Sequence, residues 1–428
     1  MPRPTVVVDP AFPLRLRQLR ETAGLSLRDL ARVALSSKSH LHDFECGRKL
    51  PSFETVERID QALSADGELM RMVVSVPGWA DPAMRRRSFV GMAAGLAVGL
   101  PQAAYDIPGR RRTEPAVAQA VLRTARLRRL DDYLGGTDTY AIYLAEVEST
   151  AALLRAGNHS ESTGRGLLAA LAEQAQMAGF SAFDAGWQSE AERLFRLSLT
   201  AAQDAGDVAL AANALTFLGY QQLAIEGRGA DLSVAACEAA IHATPRVRAL
   251  QLERRAWAHA VEGQSHAAEA SLAAAEAALH GYDDRAEPDW AHWVDEIEIR
   301  IMAGRCWTVL GRPLRAISVL EQALRAYEDT HSRDKALYLT FLAQAYLDAN
   351  EVEQGCDVIE HAMDLASGVG SVRPRQRVAE LIRRLGAGSA VPRVAEVSAY
   401  AAEWATRGPS LPAPTPRTEP GQPRSAPR

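Results

Sequence analysis

Residues 14–63 read LRLRQLRETAGLSLRDLARVALSSKSHLHDFECGRKLPSFETVERIDQAL, and the spacing of apolar and capping residues in this stretch sets the fold of the N-terminal part. Leu14, Leu16 and Leu19 start a first helix, which Gly24 closes. Ser26 is the N-cap of a second helix, with Asp29 three residues on in capping-box style, and Leu27, Leu30 and Ala31 face a core. A short turn through Leu35 and Ser36 follows. Ser37 then caps a third helix, Lys38 to Glu45, which points Leu41 and Phe44 inward. Lys38, Ser39, His40, His42 and Asp43 are left facing outward or towards the helix start. Gly47 ends this helix, and Pro51-Ser52 opens a fourth with the apolar stripe Phe53, Val56, Ile59 and Leu63.

Helix, tight turn and short helix form the geometry that enters the DNA major groove, about 12 Å wide. The motif Ser-Lys-Ser-His-Leu-x-x-x-Glu-x-Gly-Arg-x-x-Pro-Ser, from Ser37 to Ser52, resembles the lambda-repressor/Cro family, the XRE-type regulators. The resemblance implies that Lys38, Ser39 and His40 reach base edges, with Asp43 one turn on. It implies that Ser26 and Ser37 offer hydroxyl or backbone N–H groups to phosphate, that Arg48 and Lys49 pair with phosphates, and that Arg28 does so from the second helix. Two positions depart from the pattern. Ser36 stands where an apolar turn residue is usual. Asp43 stands where a base or neutral amide is common, and phosphate repels a carboxylate unless it accepts from cytosine N4. Arg15, Arg17 and Arg20 read as a solvated helix face, and Cys46 as a small residue at a helix end. His40 and His42 have no third metal ligand nearby.

Charge supports a local reading. The 428-residue chain carries a net charge of -5, yet from Leu14 to Lys49 eight bases face four acids. Over residues 1–80 the excess is only +1, which leaves open a second reading in which the helix-turn-helix does not bind DNA. Lysine occurs only at Lys38, Lys49 and Lys335; arginine elsewhere is the usage of a GC-rich, bacterial-type coding sequence. The four cysteines form no CxxC pair and no zinc spacing, which suits a reducing cytoplasm.

The expected organisation is a DNA-binding domain over 1–80, a linker over 81–113, a helical repeat domain over 114–407 and a disordered tail over 408–428. Within 1–80, the first dozen residues read as a flexible arm. Arg85-Arg86-Arg87 before the apolar run Val90–Leu100 has the look of a twin-arginine export signal, but it lies mid-chain and is too short to span a bilayer; a linker helix is the competing reading.

From Glu114 to Thr406 the pattern is continuously helical, with Gly186, Gly227, Gly263, Gly311 and Asn350 as turns 36 to 48 residues apart. Five, nine and twelve residues after each turn stand Ala191, Phe195 and Ser198; Leu232, Ala236 and Ala239; Ala268, Leu272 and Ala275; Ala316, Leu320 and Ala323; Gly355, Ile359 and Ala362. Offsets of four and three keep each set on one helix face, and small residues there admit a second helix. Leu339, Leu342, Ala343 and Tyr346 before Asn350, with Gly355, Ile359 and Ala362 after it, resemble the tetratricopeptide repeat, in a degenerate spacing. A nonrepetitive helical bundle is the competing reading. The fold expected is therefore all-α: a lambda-repressor-like domain followed by a TPR-like α-solenoid.

Such a solenoid has a concave face. Asn213, Tyr220, Arg254, Asp295 and Tyr338 are the polar candidates there for a peptide, protein or small-molecule ligand; solvated or interhelix roles compete for each. Trp187, Trp257, Trp290, Trp293 and Trp307 read as interhelix packing, and Asp283, Asp284, Glu287 and Asp289 as a solvated acidic loop. No phosphate loop, HExxH or GxSxG occurs, so neither enzyme activity nor a cofactor is expected. The expected partners are double-stranded DNA, a second copy of the chain and a groove ligand, with no membrane. A protein-interaction scaffold is the alternative function.

Overall fold

The computed structural model describes residues 5–8, 12–46, 49, 51–63, 65, 68–76, 114–131, 135–157, 159–327, 331–367, 369–386 and 391–406. Nineteen α-helices account for most of them, with one 3-10 turn and two four-residue strands. The expected linker, export-like run and tail lie outside the described residues, as do Gly47 and Arg48.

The N-terminal helices are α1 (Phe12–Thr22), α2 (Leu27–Val33), α3 (Lys38–Glu45), α4 (Phe53–Ala62) and α5 (Glu68–Arg71). Local chemistry sets their ends. Gly24 turns the chain at φ +66° after α1. Ser26 and Asp29 complete the capping box of α2, the shorter Asp side chain still reaching the Ser26 N–H at 3.3 Å. Leu35 takes φ +49° in the turn and is exposed, while Ser37 accepts from the His40 N–H to cap α3. Phe12, Leu16, Leu30, Leu41, Phe44, Val56, Ile59 and Leu69 close one core.

Two expectations are corrected here. Thr5–Val8, expected within a flexible arm, form a strand, β1, antiparallel to β2 (Val73–Val76), with Thr5 opposite Val76. Backbone hydrogen bonds across the ladder hold the arm down. Arg20 is no solvated residue. Its guanidinium grips Glu45 at the end of α3 at 2.5 and 2.9 Å, with both side chains largely buried, and also donates to the Leu25 carbonyl. Arg15 likewise pairs with Glu68, whereas Arg17 pairs with Glu21 on its own exposed face.

The second part runs α6 (Glu114–Asp131), α7 (Gly136–Arg155), α8 (Glu161–Asp184), α9 (Gln188–Ala205), α10 (Val208–Glu226), α11 (Ala230–Ala239), α12 (Pro245–Val261) and α13 (Ser265–Leu279). It continues with α14 (Glu296–Val309), α15 (Pro313–Ala326), α16 (Ser332–Asp348), α17 (Val352–Ala366), α18 (Arg373–Leu385) and α19 (Pro392–Thr406). Consecutive helices pack on one another in a repeat-like array. All five expected turn residues take left-handed backbone, φ +65° to +85°. In four hairpins all three positions of the set are buried. The hairpin at Gly227 departs. Its cap falls at Gly229, one residue later than in the others, so Ser233, Ala236 and Ala240 turn inward while Leu232 and Ala239 are only half-buried. The helix α10 is long and apolar enough to cross a membrane, and here it packs between α9, α11 and α12.

The array curls until the start of α7 and the end of α8 meet the start of α18. Asp184, fully buried at the end of α8, accepts from the Gly136 N–H, the Ser371 hydroxyl and Arg373 Nε at 2.6–2.9 Å. Its backbone carbonyl accepts from the Val372 N–H, and the Gly370 carbonyl takes the Thr137 N–H. A Cβ on Gly135 would stand 2.5 Å from the Gly370 backbone, so glycine is required at this seam. The result is a closed ring of helices around the concave face expected of such an array.

Candidate nucleic-acid interface and central cavity

α3 is amphipathic in the required sense. Leu41 and Phe44 are buried, and Lys38, Ser39, His40 and His42 are exposed. His40 stacks on Phe44 with ring centroids 6.1 Å apart, which orients its imidazole at the outer edge. Ser37 and Ser26 are exposed, but their hydroxyls already have work. Ser37 Oγ accepts from the His40 N–H, and Ser26 Oγ donates to Asp29 while accepting from its N–H. Both hydroxyls therefore hold helix starts.

Arg28 is exposed on α2. Asp43 is half-buried, and Lys49 Nζ lies 2.9 Å from its Oδ2. The carboxylate and the ammonium thus neutralise each other. Arg48, expected to meet phosphate, lies outside the described residues. The Arg20–Glu45 clamp was not anticipated by the sequence reading. Its only signal is the Glu of the quoted motif, whose partner lies 25 residues earlier on another helix.

Inside the ring is a cavity of about 900 Å³. Phe180 on α8, Asn213 and Tyr220 on α10, Arg254 on α12, Arg305 on α14 and Arg373 on α18 line it. The other two expected candidates, Asp295 and Tyr338, line it too, and so do Phe12, Pro13, Phe44, Lys49 and Pro51 of the N-terminal unit. Several candidates also have structural partners. Asn213 donates to Gln176, Asp295 caps α14 by accepting from the Glu298 N–H, and Tyr338 donates to Glu298 at 3.2 Å.

The cavity wall carries dense charge. Arg305, 2% exposed, lies over the Trp257 and Phe341 rings at 4.5 and 5.0 Å and donates to the Tyr220 hydroxyl at 2.7 Å. Arg254 Nε stands 3.1 Å from the fully buried Glu253 and over the Tyr220 ring. Burial lifts the Glu253 carboxyl far above the carboxylate range, against the pull of Arg254. Burial also raises Glu298, again opposed by Arg254. Burial would raise the Tyr220 phenol, yet the surrounding guanidiniums of Arg305, Arg373 and Arg254 leave it lowered.

Two further expectations are refined around this site. Trp290 and Trp293 are cavity wall as well as packing. Of the loop acids, Asp284 is exposed as expected, and the other three have partners. Asp289 binds Arg128 and Arg129, Glu287 accepts from the Arg246 N–H, and Asp283 pairs with Arg285. Arg305 and Arg373 line the cavity and were absent from the expected set. The spacing of Glu298 and Arg305, seven residues on one helix face, is the one local hint of them.

Residues 12–72 match the family model for the helix-turn-helix domain. The match covers α1 to α5. No curated protein matches the chain. The protein therefore carries a helix-turn-helix domain, the class that DNA-binding regulators use, joined to a helical repeat-like array.

Proposed function

We propose that this chain is a cytoplasmic, sequence-specific transcriptional regulator of the XRE type. Residues 1–80 bind operator DNA, and the TPR-like array over 114–407 binds a signal and mediates dimerisation. The observation that carries this reading is the polar edge of α3. Lys38, Ser39 and His40 stand free of the core on the first turn of a helix whose other side, Leu41 and Phe44, is buried. A second copy is needed because one helix of this length reads one half-site.

Footprinting on the gene's own upstream region tests it, with Lys38→Ala and Arg48→Ala variants. Lys38→Ala relaxes one base position, and Arg48→Ala weakens all sites alike. Binding falls steeply as salt rises, through counterion release. A chain with no DNA affinity at low salt is instead the protein-interaction scaffold that the small net charge of residues 1–80 favours.

A further inference from the structure

The ring wall holds an arginine with no carboxylate at ion-pair distance among the described residues, although Glu253 and Glu298 act on its charge from further off. Arg254 has Glu253 and Glu298, and Arg333 has Asp334. Arg305 has no acidic partner within ion-pair distance among the described residues, although it is 2% exposed and lines the cavity. Its Nε has no hydrogen-bond partner, and its hydrogen bond to the Tyr220 hydroxyl goes to a neutral group. Stacking on Trp257 and Phe341 offsets part of the cost of burying that charge.

Across the cavity, Arg373 spends Nε on Asp184, while its Nη2 has no hydrogen-bond partner and stands 3.9 Å from Asp334 Oδ1. Arg254, Arg305 and Arg373 all act on Tyr220, whose hydroxyl sits in a positive field. Beside these groups the wall is apolar and aromatic, with Phe180, Phe217, Leu250 and Trp293. The volume, about 900 Å³, suits a drug-sized molecule. The seam at Asp184, Ser371 and Arg373 closes the ring, which favours a compact ligand over a polypeptide laid along an open groove.

We propose that the central cavity is a site for a small organic anion. Its carboxylate or phosphate sits between Arg305 and Arg373 beside the Tyr220 hydroxyl, and its apolar body rests on Phe180, Phe217 and Trp293. A planar guanidinium fork matches either oxyanion, and the aromatic wall supplies the burial that a bare inorganic ion lacks. This deepens the reading of the array as a signal sensor and rests on it for its biological meaning, though not for its chemistry.

The test is calorimetric titration of the full-length chain with phenylacetate, indole-3-acetate, octanoate and phenyl phosphate. Each carboxylate is paired with its neutral amide, and phenyl phosphate with phenol. The expected result is one-to-one binding of at least one anion, with its neutral counterpart weaker by about ten-fold or more. The carboxylate and phosphate arms tell the two anion chemistries apart. Arg305→Gln and Arg373→Gln each weaken the binding anion by about ten-fold, and Arg305→Lys, which keeps charge without the fork, falls between. Tyr220→Phe removes one oxygen only; it keeps the fold and weakens binding by about three-fold, which stands if the arginine variants fail to fold. No anion binding at millimolar concentration, or neutral counterparts binding as tightly, overturns the site. An anion that binds without changing operator affinity upholds the site and overturns only the sensing role.

Discussion

The Nζ of Lys49 lies 2.9 Å from Oδ2 of Asp43, so the carboxylate on the outer part of α3 is held by the cation that follows the helix. Lys49 is more than half exposed and Asp43 is not, so the lysine is the mobile partner. Bringing DNA to this edge asks Lys49 to exchange Asp43 for a phosphate. Exposed pairs of this kind are worth about 0.2–1 kcal/mol, so the exchange is cheap.

The first prediction follows from that pair. Asp43→Asn frees Lys49 and removes a charge that phosphate repels, so affinity for a generic duplex at low salt rises by about three- to ten-fold. Lys49→Ala lowers affinity and reduces the salt slope by about 1. Fluorescence anisotropy titrations at several salt concentrations read both. Discrimination between operator and generic duplex falls in Asp43→Asn if the carboxylate accepts from cytosine, and is unchanged if it does not.

The Arg20–Glu45 clamp predicts a stability effect. Glu45 keeps only 6% of its side chain exposed, so Arg20→Ala leaves a buried carboxylate without its partner. The expected cost is about 2–4 kcal/mol in the helix-turn-helix unit, read by thermal or denaturant unfolding of the chain. Arg17→Ala, whose pair is solvent-exposed, changes stability by no more than about 0.5 kcal/mol. Equal losses in the two variants contradict the clamp.

Ring closure depends on Asp184. Asp184→Ala strands the Gly136 N–H, the Ser371 hydroxyl and the Arg373 guanidinium at once. The expected cost is about 3–5 kcal/mol, and the seam opens. Small-angle scattering then shows a larger radius of gyration, while helical content by circular dichroism stays close to that of the natural chain. Unchanged dimensions in a folded Asp184→Ala chain would mean that packing alone closes the ring.

Glu253 predicts a pH dependence whose sign is set by burial. Its carboxyl is raised from the ordinary 4.5 to about 8 in the folded chain. The folded state therefore holds this proton more tightly than the unfolded state. The stabilisation from that proton is complete below about pH 4.5, falls as pH climbs, and is gone above about pH 8. Between pH 6 and pH 9 the natural chain loses on the order of 2 kcal/mol that a Glu253→Gln chain keeps. Melting curves of both proteins across that interval check it. Parallel curves reject the assignment.

The chain's local grammar reaches the structure almost intact, and its long-range bonds do not. Ser26, Asp29 and Ser37 act on N–H groups three residues away, so the bounds of α2 and α3 follow from spacing alone. Gly186, Gly263, Gly311 and Asn350 likewise mark their turns because a left-handed residue is a local demand. The inserted residue after Gly227 already blurs this, since one position of slip rotates a helix by about 100°. Spacing is silent about partners 25 residues apart, as with Arg20 and Glu45, or 189 apart, as with Asp184 and Arg373. Those pairings depend on small rotations summed over many hairpins, which decide whether an array stays open or closes. The ring, the cavity it encloses and the place of Arg305 within it are therefore tertiary facts, while the helices that build them, and the exposed edge of α3, were already written in residues a turn or two apart.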